Sequence, residues 1–298
     1  MVTVDFGRLD LTPGGRVLDI GCGSGRHATA AYRLPRARVV GVDLAFLELV
    51  AAKGRLELHD RLGEHGGGQW GVCQADGLHL PFGAGRFDLV VCSEVLEHMP
   101  DPGQAVAEAA RVLKPGGHLV VSVPRRWPER ICWALSRGYA TAEGGHVRIF
   151  RKTELVVLLE HGGLTAGCVH YAHSLHTPFW WLKCLIGLKR ENVWPVRLYH
   201  RFLTWDILRK PRLTRFLEQL LNPVLGKSLV VYLRKNVGQA RRVSTDPLEN
   251  PEGAHKRVPL EQARAEGQAA DLVRRLAALR GVREDVVENK KATGHHVR

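Results

Sequence analysis

The sequence has few cysteines and no long apolar run, and both shortages limit what the chain can be. Its six cysteines are scattered singly, with no Cys-x-x-Cys pair, which is typical of a reduced chain without structural disulfides. No apolar stretch approaches the roughly 20 residues of a membrane-spanning helix, and the opening MVTVDFGRLD shows no signal-peptide pattern. These features predict a cytoplasmic protein with one large domain and appendages, or two small domains.

Acidic residues are in the minority, with 30 Asp and Glu against 43 Lys and Arg, and the imbalance is local. Residues 1–172 hold 19 basic and 18 acidic residues, and residues 236–298 hold 12 and 9. Residues 173–235 hold 12 basic residues and only 3 acidic ones. A negatively charged partner is therefore expected to meet the chain in this stretch of about sixty residues.

Short apolar runs alternate with helix-like segments through residue 172, which is typical of βαβ units and a doubly wound parallel sheet. Strands are predicted at 16–21, 38–43, 70–76, 87–93, 118–124, 164–172 and 228–235. Asp101 and Pro102 are a typical N-cap and first-turn pair for one helix, and Thr153 is predicted to cap another. The sequence therefore predicts an α/β fold.

Two segments stand apart from this alternation. Residues 173–227 hold four of the seven tryptophans, and apolar residues from Leu213 to Leu221 follow one helical face that Asn222-Pro223 is expected to end. Residues 236–298 are polar and are predicted to be a linker and a partly disordered tail with one short helix. We expect one domain over residues 1–235, interrupted by a helical, basic and aromatic insertion at 173–227.

The stretch VLDIGCGSG places glycines at every second position after a strand. A dinucleotide fingerprint would need a glycine where the chain has Arg26. Bare N–H groups in such a turn favour a carboxylate, whereas Asp19 suits an ammonium group. The turn is therefore predicted to bind an amino acid, which carries both charges.

The next two strands end in acids as well. Asp43 is placed to accept the hydroxyl groups of a ribose, and Asp76 with Gly77 is placed beside an adenine amino group. An amino acid, a ribose and an adenine along three strand ends describe S-adenosylmethionine.

The stretches VLDIGCGSG, VVGVD, QADGLHLPF, FDLVVCSEVLEHMPD and RVLKPGGHLVVSVP resemble the class I S-adenosylmethionine-dependent methyltransferases, in particular the methyltransferase type 11 group. The resemblance implies a Rossmann-like seven-stranded sheet with a final antiparallel strand and the cofactor across its carboxyl ends. It also implies that Asp19, Gly21, Gly23 and Gly25 hold the methionine part, Asp43 and Leu44 the ribose, Asp76 and Gly77 the adenine, and that Ser93 and Glu94 line the pocket beside the methyl group.

A hydroxyl or ammonium acceptor must also lose a proton during methyl transfer. His98 and His146 are candidate bases, with helix capping and packing as their structural alternatives. No metal is predicted, because an alternating strand would not direct His170, His173 and His176 to one point. The chain lacks an NPPY-type motif after the fourth strand, which disfavours methylation of adenine or glutamine amides.

The insertion at 173–227 has three possible roles. Tryptophans and leucines among basic residues suit the surface of an anionic membrane and a lipid-linked acceptor, stacking on single-stranded RNA, or packing on the sheet. We expect a methyltransferase with a small-molecule or lipid-linked acceptor, cytoplasmic or peripheral at the membrane. The alternatives are an RNA methyltransferase, with nucleic acid the less favoured partner, and a cofactor-binding regulatory protein without turnover.

Overall fold

The computed structural model describes residues 1–140, 147–190 and 192–237, which form an α/β fold around one sheet. The strands are Arg16–Ile20 (β1), Arg38–Asp43 (β2), Gln69–Gln74 (β3), Phe87–Ser93 (β4), Leu113–Pro124 (β5), Leu164–Ala172 (β6) and Ser228–Lys235 (β7). The helices are Arg26–Tyr32 (α1), Phe46–Leu62 (α2), Pro102–Val112 (α3), Arg126–Leu135 (α4), Arg137–Ala140 (α5), Lys152–His161 (α6), Thr177–Ile186 (α7), Trp194–Arg209 (α8) and Arg212–Leu225 (α9). Short 3₁₀ turns lie at Phe6–Arg8 and Ser174–His176.

The seven strands form one sheet in the order β3-β2-β1-β4-β5-β7-β6. β1 to β5 are parallel to one another, whereas β7 runs antiparallel to both β5 and β6. Val231 of β7 pairs with Val121 on one side and Val169 on the other. The predicted fold class is therefore confirmed. The strand order reverses between β1 and β4, because β2 and β3 lie on one side of β1, and β4 and β5 lie on the other. Open α/β sheets bind ligands at such a point.

Both faces of the sheet are buried, because its strands carry apolar residues in continuous runs. Leu18 and Val121 pack on one face with Leu155 of α6, and Val17 and Val120 pack on the other. Each fully buried side chain of this size stabilises the fold by about 1.5–3 kcal/mol. This core fixes the carboxyl ends of the strands, where the candidate site lies.

The helix ends follow the predictions only in part. Asp101 caps α3, accepting a hydrogen bond from Gln104 N at 2.9 Å, as predicted. The prediction for Thr153 was wrong, because α6 starts at Lys152, two residues earlier than such a cap would place it, and the Arg151 N–H donates to the Glu154 carboxylate. The predicted end of α9 at Asn222-Pro223 was also wrong: the helix continues to Leu225, because a proline near the last turn removes only one backbone donor.

The helical insertion is confirmed as α7, α8 and α9, between β6 and β7. Phe179, Val196 and Leu203 form its small core. Within the part of the chain that the structure describes, no helix combines the length and apolar character needed to cross a membrane. The predicted tail at 236–298 lies outside the described residues except for Asn236 and Val237.

Candidate cofactor and active site

β1 leads into a turn in which three alternate glycines have a left-handed backbone. The φ angle is +62° at Gly21, +49° at Gly23 and +77° at Gly25. A β-carbon on Gly21 would lie 2.5 Å from Val95 Cγ2, and one on Gly25 would lie 3.0 Å from Ala52 Cβ. Both the backbone conformation and the available space therefore require glycine. The turn presents bare backbone at the carboxyl end of β1.

Asp43, the last residue of β2, holds this turn in place. Its Oδ2 accepts a hydrogen bond from Gly23 N at 2.8 Å, and its Oδ1 accepts one from Ala45 N at 2.9 Å. Each carboxylate oxygen keeps a second lone pair. Asp43 can therefore shape the glycine turn and still accept hydroxyl groups, the role predicted for it.

A cavity of about 300 Å³ lies at the carboxyl ends of β1 to β4. The predicted cofactor residues in its wall are Gly21, Asp43, Leu44, Asp76, Gly77 and Glu94. Its size is at the lower end of small-molecule pockets. Three carboxylates from successive strand ends thus face one cavity, and their part in binding remains a prediction.

In the cavity wall beside β3, the space at position 77 fits only a glycine. A β-carbon there would lie 2.6 Å from Met99 Cε and 3.2 Å from Ile20 Cγ2. Asp76, the preceding residue, accepts a hydrogen bond from Leu78 N at 2.9 Å, which fixes the loop. Glycine at position 77 therefore lets Met99 close against the wall of the cavity.

Asp19 lies behind the turn rather than in the cavity wall. Its side chain is 2% exposed, and its Oδ2 has no hydrogen-bond partner among the described residues. Burial raises the pKa of Asp19 to about 7; a hydrogen bond from the Ala28 backbone opposes the increase, whereas the charge of Asp43 adds to it. An ammonium group could donate a hydrogen bond to this Oδ2 atom and would stabilise the ionised form of the carboxylate.

Ser93 contacts the residue that supports Glu94 and is not among the residues of the cavity wall, so its place beside the methyl group stays a prediction. Its Oγ lies 2.7 Å from Ser122 Oγ, and the Ser122 hydroxyl donates to Glu94 Oε1 at 2.9 Å. The register of β4 and β5 sets Ser93 beside Ser122. Glu94 has a φ of +57°, a conformation that is uncommon outside glycine and clusters at functional sites. The sequence analysis missed Ser122.

Glu97 is the second residue that the sequence analysis missed. It is fully buried, and neither carboxylate oxygen has a hydrogen-bond partner in the described structure. Burial raises the pKa of Glu97 well above its ordinary value, and the charge of Glu94 raises it further. His98 lines the cavity, and its Nε2 lies 3.8 Å from Glu97 Oε1. A buried acid behind a cavity histidine is a signature of a functional site.

The other histidine candidates are placed differently. His146 lies outside the described residues, which resume at Val147, where the backbone N–H donates to the Glu97 carbonyl at 3.1 Å. His173 Nε2 lies 3.1 Å from the Thr3 hydroxyl, and its ring packs edge-on against His176. No metal-binding group of three or more His, Cys, Asp or Glu occurs among the described residues.

α4 and α7 form an aromatic layer close to Glu97. The Trp181 indole donates to the Pro128 carbonyl at 3.1 Å, and its ring centroid lies 5.5 Å from that of Trp127. Lys227 Nζ lies 5.3 Å from the centre of the Trp180 ring. Lys227 also lowers the pKa of Glu97, although less than burial and Glu94 raise it. Lys227, the last residue of the insertion, therefore lies within electrostatic reach of Glu97.

Comparison with known proteins gives the same picture of the domain. Residues 18–121 match a family model described as a methyltransferase domain. The chain is 35% identical to the methyltransferase GfsG of Streptomyces halstedii, over 46% of this chain and 48% of that protein. It is 34% identical to a ubiquinone biosynthesis O-methyltransferase of Marinobacter nauticus, over 51% and 64%. A solved structure of a methyltransferase from Bacillus halodurans C-125 has a TM-score of 0.52 at 23% identity, covering 78% of this chain and 96% of that one.

The chain spans between about half and two thirds of the length of these curated relatives. The matched residues include the glycine turn and the carboxylates of the cavity. S-adenosylmethionine is the cofactor that this family implies, and the bare turn, the free lone pairs of Asp43 and the Asp19 Oδ2 atom, which has no hydrogen-bond partner among the described residues, are compatible with it. Residues 18–121 are therefore similar to the methyltransferase domain family, and the sheet has the fold of a solved methyltransferase.

Proposed function

We propose that the protein transfers a methyl group from S-adenosylmethionine to a small-molecule acceptor. The observation that carries the proposal is the cavity in which Asp43, Asp76 and Glu94 surround a bare glycine turn. The cofactor supplies an electrophilic methyl group on a sulfonium. The chain then has to bind the cofactor, align the acceptor and exclude water.

Each wall residue has a distinct task in this proposal. The backbone of the Gly21 turn and Asp19 behind it hold the amino-acid end, and Asp43 accepts the ribose hydroxyls. Asp76 accepts from the adenine amino group. Glu94, fixed by Ser122, lies on the acceptor side.

An oxygen atom is the proposed methyl acceptor, because relatives include O-methyltransferases by name. His98 would accept the acceptor's proton at the cavity wall. Glu97 lies behind it, 3.8 Å from Nε2, and would stabilise the imidazolium that forms. A positioned base of this kind typically raises the rate about 10² to 10⁴-fold.

Calorimetric titration with S-adenosylmethionine tests the cofactor site. We expect Asp43→Asn and Asp76→Asn each to weaken binding at least about tenfold, as loss of a charge-assisted hydrogen bond does. Asp10→Asn is the control, because Asp10 is exposed and lies outside the cavity wall. Absence of binding heat with the unmodified chain would overturn the proposal.

A second assay with a tritiated methyl group and cell extract identifies the acceptor class. Label in the organic phase supports a small or lipid-linked acceptor. Label in RNA would favour the RNA methyltransferase alternative, and cofactor binding without label transfer would favour a regulatory protein without turnover.

We further propose that the acceptor is reached at an anionic membrane surface through α8 and α9. Of the described residues, eleven exposed large apolar side chains lie within these two helices: Trp194, Leu198, Phe202, Trp205, Ile207, Leu208, Leu213, Phe216, Leu217, Leu220 and Val224. Most recur every three or four residues, so each helix carries an apolar stripe. Arg197, Arg201, Lys210 and Arg212 are exposed beside the stripes. This combination suits the interface of an anionic bilayer.

The aromatic residues of α7 pack against the rest of the protein. Phe179 is only 8% exposed, and Trp180 and Trp181 are half-buried against α4 and its neighbours. Within the insertion, α8 and α9 therefore provide the outward apolar face.

A further inference from the structure

A second cavity, here called the basic cleft, lies apart from the cofactor cavity. Its volume is about 850 Å³. It runs between α1 and α2 on one side and the end of β6, the end of α8 and α9 on the other. The two cavities have no lining residue in common. A ligand of the basic cleft would therefore not occupy the predicted cofactor positions.

The basic cleft is strongly cationic. Its charged lining consists of Arg8, Arg26, Arg33, Arg55, Lys210 and Arg215, against the acids Asp5 and Glu218. The six cations come from the turn at Phe6–Arg8 and from α1, α2, α9 and the end of α8. The fold therefore brings together cations that are far apart in sequence, whereas a run of solvated charges on one helix would be local.

Only half of these cations have an acidic partner. Arg8 pairs with Asp5 at 3.0 Å, Arg33 pairs with Glu64, and Arg215 pairs with Asp206 and Glu218. The side chains of Arg26, Arg55 and Lys210 form no hydrogen bond or ion pair within the described part of the chain.

Two histidines beside the cations are held neutral. Burial lowers the pKa of His27 to about 4, and the charge of Arg26 adds to this effect. Burial likewise lowers the pKa of His170, with a smaller contribution from Arg8. The Nδ1 atom of His170, a cleft residue, is buried without a hydrogen-bond partner in the described structure. A positive potential without enough acidic partners favours an anionic ligand.

We propose that the basic cleft binds a ligand with two or more phosphate groups. Guanidinium groups bind phosphate through two parallel hydrogen bonds, and lysine adds a point charge. Arg26, Arg55 and Lys210 lie on three different elements, so a ligand with several anionic groups can contact more of them than a single phosphate can. The chemistry is shared by a free diphosphate and by the diphosphate end of a lipid. Methyl transfer is not a premise of this inference.

Calorimetric titration of the full chain at about 0.15 M ionic strength tests the proposal with two probes, inorganic pyrophosphate and farnesyl diphosphate. We expect saturable binding of at least one probe. Arg55→Gln combined with Lys210→Gln should weaken that binding at least about tenfold. The matched control is Arg38→Gln combined with Arg61→Gln, which removes two positive charges from exposed positions outside the cleft.

The two probes separate the sources of the phosphate groups. Similar affinity for both indicates a free diphosphate, and much tighter binding of farnesyl diphosphate indicates a lipid-linked one. Absence of saturable binding for both probes overturns the proposal, as does an equal loss of affinity in the cleft pair and the control pair. Titration with S-adenosylmethionine in the same variants shows whether they remain folded, independently of the cleft.

Discussion

Met99 closes against Gly77, with its Cε atom 2.6 Å from the position that a β-carbon on Gly77 would take. Both residues line the cofactor cavity. Gly77→Ala must therefore displace the end of Met99. Because the end of a methionine side chain moves easily, we expect the free energy of unfolding to fall by at most about 1 kcal/mol. The affinity for S-adenosylmethionine should also fall, because the displaced Met99 lines the cavity; urea unfolding and calorimetry measure the two effects.

Two further variants show whether the contact with Met99 causes the effects of Gly77→Ala. Gly71→Ala is the control, because a β-carbon on Gly71 would meet no heavy atom within 4 Å. In the double variant Gly77→Ala/Met99→Ala, the loss should be smaller than the sum of the single losses. Additive losses would contradict the interpretation.

Asp19 should make stability depend on pH. Its pKa is about 7 in the folded chain, compared with an ordinary value of 3.8, because the side chain is buried. Between these values the folded state keeps a proton that the unfolded state has lost, so stability falls as pH rises from about 4 to about 7 and then levels off. The shift corresponds to at most about 4 kcal/mol. Asp19→Asn should remove this decrease, as measured by urea unfolding across the range.

Bound S-adenosylmethionine should lower the pKa of Asp19, whereas burial raises it. An ammonium group favours the ionised carboxylate, so affinity for S-adenosylmethionine should rise with pH up to about 7 in the unmodified chain. In Asp19→Asn this rise should be absent. An unchanged pH profile in the variant would show that Asp19 does not contact the amino-acid end.

The positions of Asp43 and Asp76 were predictable because each closely follows an apolar strand run, and parallel strands end at the same edge of a sheet. The glycine turn was predictable because alternate glycines after a strand indicate a backbone that has positive φ angles or approaches a ligand closely. Local sequence pattern was thus enough to predict these residues of the cavity wall. It also determined the helix cap at Asp101, whose hydrogen bond spans only three residues.

Glu97 was not predictable from local pattern. The segment EVLEH indicates an exposed acid near the start of a loop, and its burial depends on tertiary packing, which also brings Glu129 and Lys227 within electrostatic reach of it. Ser122 was missed for the same reason, because only the register of β4 and β5 sets it beside Ser93. Which helices of the insertion carry exposed apolar stripes was not predictable either, because the dense aromatic residues of α7 do not show which side of that helix is buried.

Glu97→Gln should separate a functional role from a structural one. Both Glu97 oxygens lack hydrogen bonds within the described residues, and burial favours the neutral form, so the amide should leave the free energy of unfolding unchanged or higher. Only an ionised carboxylate can stabilise charge on His98, and the amide cannot ionise, so turnover should fall at least about tenfold if Glu97 has this role. A radiolabelled methyl-transfer assay and urea unfolding measure the two effects.

Glu108→Gln is the matched control for Glu97→Gln. Glu108 pairs with Arg111 at 2.6 Å and accepts from Leu80 N at 2.9 Å, remote from the cavity wall. This variant should lose about 1–3 kcal/mol of stability and keep its turnover. If Glu97→Gln behaved like Glu108→Gln, the acid would have only a structural role.

The apolar stripe of α9 should determine recovery of the protein with anionic vesicles. Phe216 and Leu220 are each 62% exposed. Moving both side chains into the interface stabilises binding by roughly 1.5–3 kcal/mol each at full burial. Phe216→Ser combined with Leu220→Ser should therefore weaken binding at least about tenfold. Flotation with phosphatidylglycerol-containing vesicles measures this effect, and pure phosphatidylcholine vesicles show how much of the binding depends on lipid charge.

The control for this pair is Leu58→Ser combined with Leu62→Ser on α2, where the side chains are 46% and 61% exposed. α2 lies on the opposite part of the sheet, beside β2 and β3, so its variants should float as the unmodified chain does. Arg197→Gln combined with Arg201→Gln should weaken binding to anionic vesicles alone, because each basic residue near such a surface contributes about 1 kcal/mol. Equal recovery of the α9 pair and the α2 pair would mean that the exposed stripes of α8 and α9 serve another contact and that the acceptor is not reached through the membrane surface.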